Sequence, residues 1–175
     1  MTDESDNIVL DCENPEAEAF GPIEARLGVV SSANEVISLG WDEAITETPK
    51  INEVEIWELY NFTMDAHPIH VHQIHFEVVN RQALARNSEE EVILPPQLAG
   101  APIPPEAWEM GYKDTVIALP GKVTRIKVRF DIPGLFVWHC RILEHEDNEK
   151  MRPFRVDVKS HIPAIFIQPP IPPVP

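Results

Sequence analysis

From His70 to Val79, and again from Val123 to Phe130, the side chains alternate in character with a period of two. A period of two belongs to extended strands, whose successive side chains point to opposite faces. In the first stretch His70, His72, Ile74, Phe76 and Val78 fall on one face and Val71, Gln73, His75, Glu77 and Val79 on the other. In the second, Thr124, Ile126, Val128 and Phe130 form the apolar face of a half-buried strand. Val54–Asn61 is rich in β-branched and aromatic residues, which also favour a strand. Pro120-Gly121 predicts a turn and a hairpin between residues 114–119 and 123–130. Leu135–Cys140 and Pro153–Val158 complete the set. Residues 81–112, with Glu89-Glu90-Glu91 and five prolines, are expected to be a long irregular excursion. Short strands with Pro/Gly punctuation and no helical repeat predict an all-β sandwich.

The 175 residues suffice for one well-buried core and not for two ordinary domains. Residues 1–22 hold seven acidic side chains and no Lys or Arg, and are expected to be an acidic lead-in or linker remnant. Residues 161–175 end in Pro-Pro-Ile-Pro-Pro-Val-Pro, an extended polyproline-like tail. The folded unit is therefore placed at 23–160. A formal charge of −15 argues against nucleic acid or an anionic membrane as partner and favours cations. No apolar run has the roughly 20 residues of a membrane-spanning helix. The acidic N-terminus is unlike a signal peptide. Two cysteines, Cys12 and Cys140, permit at most one disulfide and leave the compartment undetermined.

Six of the seven histidines fall in two clusters, His67-Pro-Ile-His70-Val-His72-Gln-Ile-His75 and Trp138-His139-Cys140-Arg141-Ile-Leu-Glu144-His145. Imidazoles suit copper, zinc and iron, and a thiolate beside two imidazoles is the donor set of a blue-copper site, though tetrahedral zinc accepts it too. If residues 138–141 are extended, Cys140 points to one face and His139 and Arg141 to the other. One short segment can then serve two metal sites, with the Cys140–His139 linkage as the electron path between them. His70-x-His72 followed by Glu77 faintly resembles a cupin metal motif, but its flanking glycines are missing, and the Cys140-x4-His145 spacing, for which a cupin has no use, decides against it.

Over residues 40–157 the chain resembles the third, C-terminal cupredoxin domain of bacterial laccase-like multicopper oxidases, the group of spore-coat laccases and bilirubin oxidases. The resemblance is carried by Trp57-Glu-Leu-Tyr-Asn-Phe-Thr63, Asp65-Ala-His67-Pro-Ile-His70-Val-His72, Tyr112-Lys-Asp-Thr-Val116, Pro120-Gly-Lys-Val-Thr-Arg125, Val137-Trp-His139-Cys140 and Ile142-Leu-Glu-His145-Glu-Asp-Asn148. It implies a Greek-key, cupredoxin-like sandwich with copper as cofactor. It implies that His67, Cys140 and His145 hold a type 1 copper, that His70 matches a type 2 ligand, and that His72 and His139 match type 3 ligands. By the same resemblance Cys140 carries single electrons and Glu146 matches an acidic residue that helps deliver protons. His75 matches no ligand and is read as structural or surface. Spore-coat or extracytoplasmic location is what the resemblance suggests.

Three departures from the family pattern stand out. Arg141 replaces the third residue of His-Cys-His and offers a metal no lone pair. Lys150 occupies the axial type 1 position, with Met151 aimed at the opposite face; a three-coordinate copper with Lys150 swung to solvent is expected. The chain has no second His-x-His pair, so it brings at most three ligands to a trinuclear centre. Two functional readings follow: a copper-binding redox domain, or a non-catalytic, oligomer-forming module with degenerate copper sites. Expected partners are copper ions and either further copies of the chain or the missing oxidase domains, because faces buried in a larger oxidase would be exposed here.

Overall fold

The computed structural model describes residues 26–158. The expected lead-in, the tail and Cys12 lie outside the described residues. The strands are β1 Leu27–Val30, β2 Val36–Leu39, β3 Val54–Asn61, β4 His67–Val71, β5 Phe76–Leu84, β6 Leu98–Ile103, β7 Tyr112–Lys113, β8 Thr115–Ala118, β9 Lys122–Arg129, β10 Gly134–Cys140 and β11 Met151–Val156. Among the described residues helical structure is confined to a 3-10 turn at Ala107–Glu109 and one turn of α-helix, α1, at Leu143–Glu146. Among the described residues no helix is long and apolar enough to cross a membrane.

The strands form a β1–β2 hairpin, a sheet ordered β11-β10-β4-β8, and a sheet ordered β3-β9-β5-β6 with β7 beside β5. All pairings between these strands are antiparallel. Alternation places one face of each large sheet inward. Ile69, Val71, Val116, Trp138, Cys140, Phe154 and Val156 of one sheet meet Leu59, Phe76, Val78, Ile126 and Val128 of the other. Trp57 packs against Phe130, Trp138 and Phe154, with ring centroids 5.4–6.3 Å apart. Stacking two such faces removes from water the apolar area that stabilises the sandwich.

Three strand expectations need correction. Residues 70–79 are not one strand: β4 ends at Val71, Gln73 adopts φ 70, and β5 resumes at Phe76 in the opposite sheet. A left-handed residue breaks the pleat, so the alternation on either side belongs to two different sheets. The turn at Pro120-Gly121 is present, with Gly121 at φ 64, but it closes no hairpin. β8 pairs with β4 and β9 with β3 and β5, so the turn carries the chain from one sheet to the other. The 81–112 region is more regular than expected, since β5 continues to Leu84 and β6 pairs with it. By contrast, the predicted strand 54–61 coincides with β3, and β10 and β11 form near the expected positions.

Candidate metal centre

The site is built on the β4–β10 pair, where Trp138 lies opposite Val71, His139 opposite His70, and Cys140 opposite Ile69. Opposed residues share a face, and neighbours along a strand do not. Cys140 therefore points into the core beside His67 and Ile69, while His139 and His70 share the outer face. The expected division of this segment between two faces is what the ladder produces.

On the inner face His67 Nδ1 lies 3.8 Å, and His145 Nδ1 3.7 Å, from Cys140 Sγ. These three donor atoms lie within 4.8 Å of one another. Cys140 is fully buried and His67 is 4% exposed. His145 is brought in by α1, whose single turn follows directly from β10. A thiolate about 2.3 Å and an imidazole nitrogen about 2.0–2.1 Å from a shared ion, roughly 120° apart, are about 3.7 Å from each other. The observed separations thus fit a thiolate and two imidazoles around one metal ion, the donor set suited to blue copper.

Two residues that sequence reasoning did not single out orient His67. Thr63 Oγ1 lies 2.7 Å from His67 Nε2 and 2.8 Å from Asn61 Oδ1. Asn61 Nδ2 donates to the Asp65 and Ala118 carbonyls, which leaves Oδ1 to accept from the Thr63 hydroxyl. Thr63 Oγ1 is then the acceptor for His67 Nε2–H, and Nδ1 keeps its lone pair toward Cys140. Both residues stand in the Asn61-Phe62-Thr63 end of a quoted motif, but their role depends on a contact across the 61–67 bend.

Lys150 does not swing to solvent. It is 6% exposed, and its Nζ lies 3.1 Å from Nδ1 and 3.0 Å from Nε2 of His67. The backbone explains this: Lys150 N–H donates to His145 C=O and Lys150 C=O accepts from Cys140 N–H. With Met151 opposite His139, Lys150 shares the inward face of Cys140, and Met151 falls on the outer face as expected. A metal on the Nδ1 lone-pair axis would sit much nearer Nδ1 than Nε2. The near-equal distances therefore place the amine beside the ring and off that axis, so it leaves the lone pair clear. Burial pushes the Lys150 amine below its ordinary pKa. Burial, then the charges of Lys150 and His145, push His67 down to about 4.

On the outer face His70, His72 and His139 form a second group of three donors within 4.8 Å. His70 Nδ1 is 2.8 Å from Asp114 O and 3.2 Å from Thr115 Oγ1. His139 Nδ1 is 2.9 Å from Cys140 O and 3.2 Å from Glu146 Oε2. His72 follows the end of β4 and is exposed; burial first, then His70, His139 and Arg141, hold it below the ordinary imidazole value. Arg141 is exposed at the end of β10, and His75 is exposed beyond the Gln73 turn and belongs to neither group.

The family model for multicopper oxidases matches residues 21–160. The chain belongs to the multicopper oxidase family. Copper is the cofactor of that family, and the donor groups of this member fit it. Laccase from Bacillus subtilis (strain 168) is 42% identical over 119 residues, covering 66% of this chain and 23% of that protein. Multicopper oxidase LPR1 of Arabidopsis thaliana is 35% identical over 148 residues, covering 69% and 25%. The chain thus spans about a quarter of the length of these relatives. Among solved structures, the multicopper oxidase McoA from Aquifex aeolicus superposes with TM-score 0.51 at 31% identity, covering 66% of this chain and 22% of that one. The Campylobacter jejuni multicopper oxidase gives 0.52 at 26% identity, covering 71% and 23%. The expected all-β, cupredoxin-like sandwich is the fold of this member, built from antiparallel sheets.

Proposed function

We propose that this multicopper oxidase domain is a one-electron redox module, with a type 1 copper held by His67, Cys140 and His145. Its place is that of the C-terminal domain of a laccase-like oxidase, the folded unit spanning residues 23–160. The observation that carries this reading is the adjacency of the two donor groups: Cys140 of the inner group and His139 of the outer are consecutive residues on β10. When bound, copper supplies reversible one-electron chemistry. The chain's own part is to exclude water from Cys140, to fix the His67 tautomer through Asn61 and Thr63, and to connect the faces through one peptide bond.

Glu146 is the residue we assign to proton handling, because its Oε2 lies 3.2 Å from His139 Nδ1 and it is half-buried. Complete oxygen reduction is assigned to the assembled oxidase, in which other domains or further copies of the chain complement this one. The alternative of a non-catalytic, oligomer-forming module rests on Arg141 and Lys150. The assembled inner donor set favours the redox reading over it.

The test is a Cu²⁺ titration of the metal-free protein followed by visible absorption and electron paramagnetic resonance. An intense blue band with narrow copper hyperfine splitting, absent from Cys140→Ser, is the expected result. Copper uptake without that band would overturn the type 1 assignment.

A further inference from the structure

We propose that the cavity between the β1–β2 hairpin and β3 binds a small organic monocarboxylate, with the acid head against Lys150 and the Trp138 indole and the apolar body along the remaining wall. The cavity measures about 850 Å³, within the range of small-molecule sites. The hairpin, residues 46–49 and β3 enclose it, and it extends to His67, Ile69, Trp138 and Lys150. Leu27, Val29, Trp57, Leu59 and Ile69 give it an apolar lining. Two donors in that lining lack an anion to meet. Trp138 is 8% exposed, and its Nε1–H finds no acceptor among the described residues. An indole N–H can only donate, and a buried donor left unpaired is costly. Lys150 is 6% exposed, and its amine meets only the two ring nitrogens of His67. None of the ion pairs between described residues includes it. Buried ammonium groups are normally paired with an anion, because an isolated charge is expensive to take out of water.

The β10–β11 register brings these donors together. Trp138 lies opposite Arg152, so Lys150 is its diagonal neighbour on the inner face, a separation of roughly 7–8 Å between backbones. A carboxylate has two acceptor oxygens, so one head can take the indole N–H on one and the ammonium on the other. The acidic side chains of the lining are engaged elsewhere. Glu55 accepts from Trp57 Nε1 at 2.9 Å, Glu58 pairs with Arg125 at 2.6 Å, and Glu47 faces the buried Arg152 at 3.9 Å. Their presence limits the ligand to a single negative charge, and the apolar walls call for an alkyl chain or an aromatic ring behind it. The site stands on Lys150, Trp138 and the cavity, and does not depend on the redox reading of Cys140.

The experiment titrates octanoate into the nitrogen-15-labelled full chain, with a chelator present, and follows the indole N–H signals by NMR. The chain has four tryptophans, and Trp138→Phe identifies the signal of interest. The expected result is a saturable shift of the Trp138 signal at one octanoate per chain, with the affinity taken from calorimetry. Octanol has the same chain without the charge and should bind at least about 10-fold more weakly. Lys150→Met should weaken octanoate binding by about 10- to 100-fold, the loss expected for a charge-assisted hydrogen bond. Lys127→Met, at an exposed position, should leave it unchanged. An unmoved Trp138 signal, octanol binding as tightly as octanoate, or a folded Lys150→Met protein that binds octanoate like the natural chain would overturn the proposal. The comparison of octanoate with octanol needs no variant, so it decides the matter even if Lys150→Met fails to fold.

Discussion

Acidifying the metal-free protein from pH 6.5 to 4 should remove about 3 kcal/mol of stability through His67 alone. The fold accommodates the neutral ring, because protonation would place a charge in a site 4% exposed and beside the Lys150 amine. The unfolded chain takes up the proton near 6.5, whereas the folded protein resists it down to about 4. The contribution of this group is therefore complete above pH 6.5, declines as the pH falls through that interval, and is lost below about 4. At about 1.4 kcal/mol per pH unit, the interval is worth about 3 kcal/mol. The assay is urea unfolding followed by tryptophan fluorescence, in the presence of a chelator, across that pH range for the natural chain and His67→Gln. Glutamine is neutral throughout and can still donate to Thr63, so the difference between the two curves isolates the imidazole. In Lys150→Met the difference should shrink, since the second cause of the depressed value is gone. Parallel stability curves for the natural chain and His67→Gln would refute the reasoning.

Other perturbations test the scaffold around the site. Arg152, with 0% exposure, donates to the carbonyls of Gly40, Glu43 and Ala44, so Arg152→Met should cost about 3–5 kcal/mol in urea unfolding and expose the 40–47 loop to proteolysis. Arg81 and Glu109 form a buried bidentate pair at 2.5 and 2.6 Å, and Glu109→Gln should cost about 3 kcal/mol by calorimetry or denaturant. The Arg81 hydrogen bonds hold the Glu109 carboxyl below its ordinary value. Its stabilisation is thus present above pH 4.5 and lost as the pH falls through the lower folded value. Lys150→Met should stabilise the metal-free protein by about 1–4 kcal/mol near neutral pH. Because burial depresses the lysine's pKa, this gain should fade as the pH rises toward 10.5, which unfolding at two pH values will show.

Much of the site was legible in the residues themselves. Period-two alternation along residues 138–141 places Cys140 on one face and His139 on the other, because the extended chain permits no other arrangement. The six residues matched to the family motifs come together in two groups of three, His67, Cys140 and His145 in one and His70, His72 and His139 in the other. The strand at Val54–Asn61 was likewise readable, since its β-branched and aromatic residues act locally.

What the residues could not show is who stands across the ladder. The alternation of residues 70–79 looked continuous, yet it is divided by a left-handed Gln73 between two sheets. Pro120-Gly121 was rightly a turn, but which strands it joins depends on β4 claiming β8. Lys150 was expected in solvent because a lysine prefers water; two backbone hydrogen bonds and its register opposite Cys140 hold it inside. Asn61 and Thr63 acquire their hold on His67 only when the 61–67 bend closes. Side-chain direction along a strand is set by local backbone geometry, so sequence alone determines it. Register, crossover and burial are settled by long-range packing, where the gain of the whole core outweighs the preference of one residue.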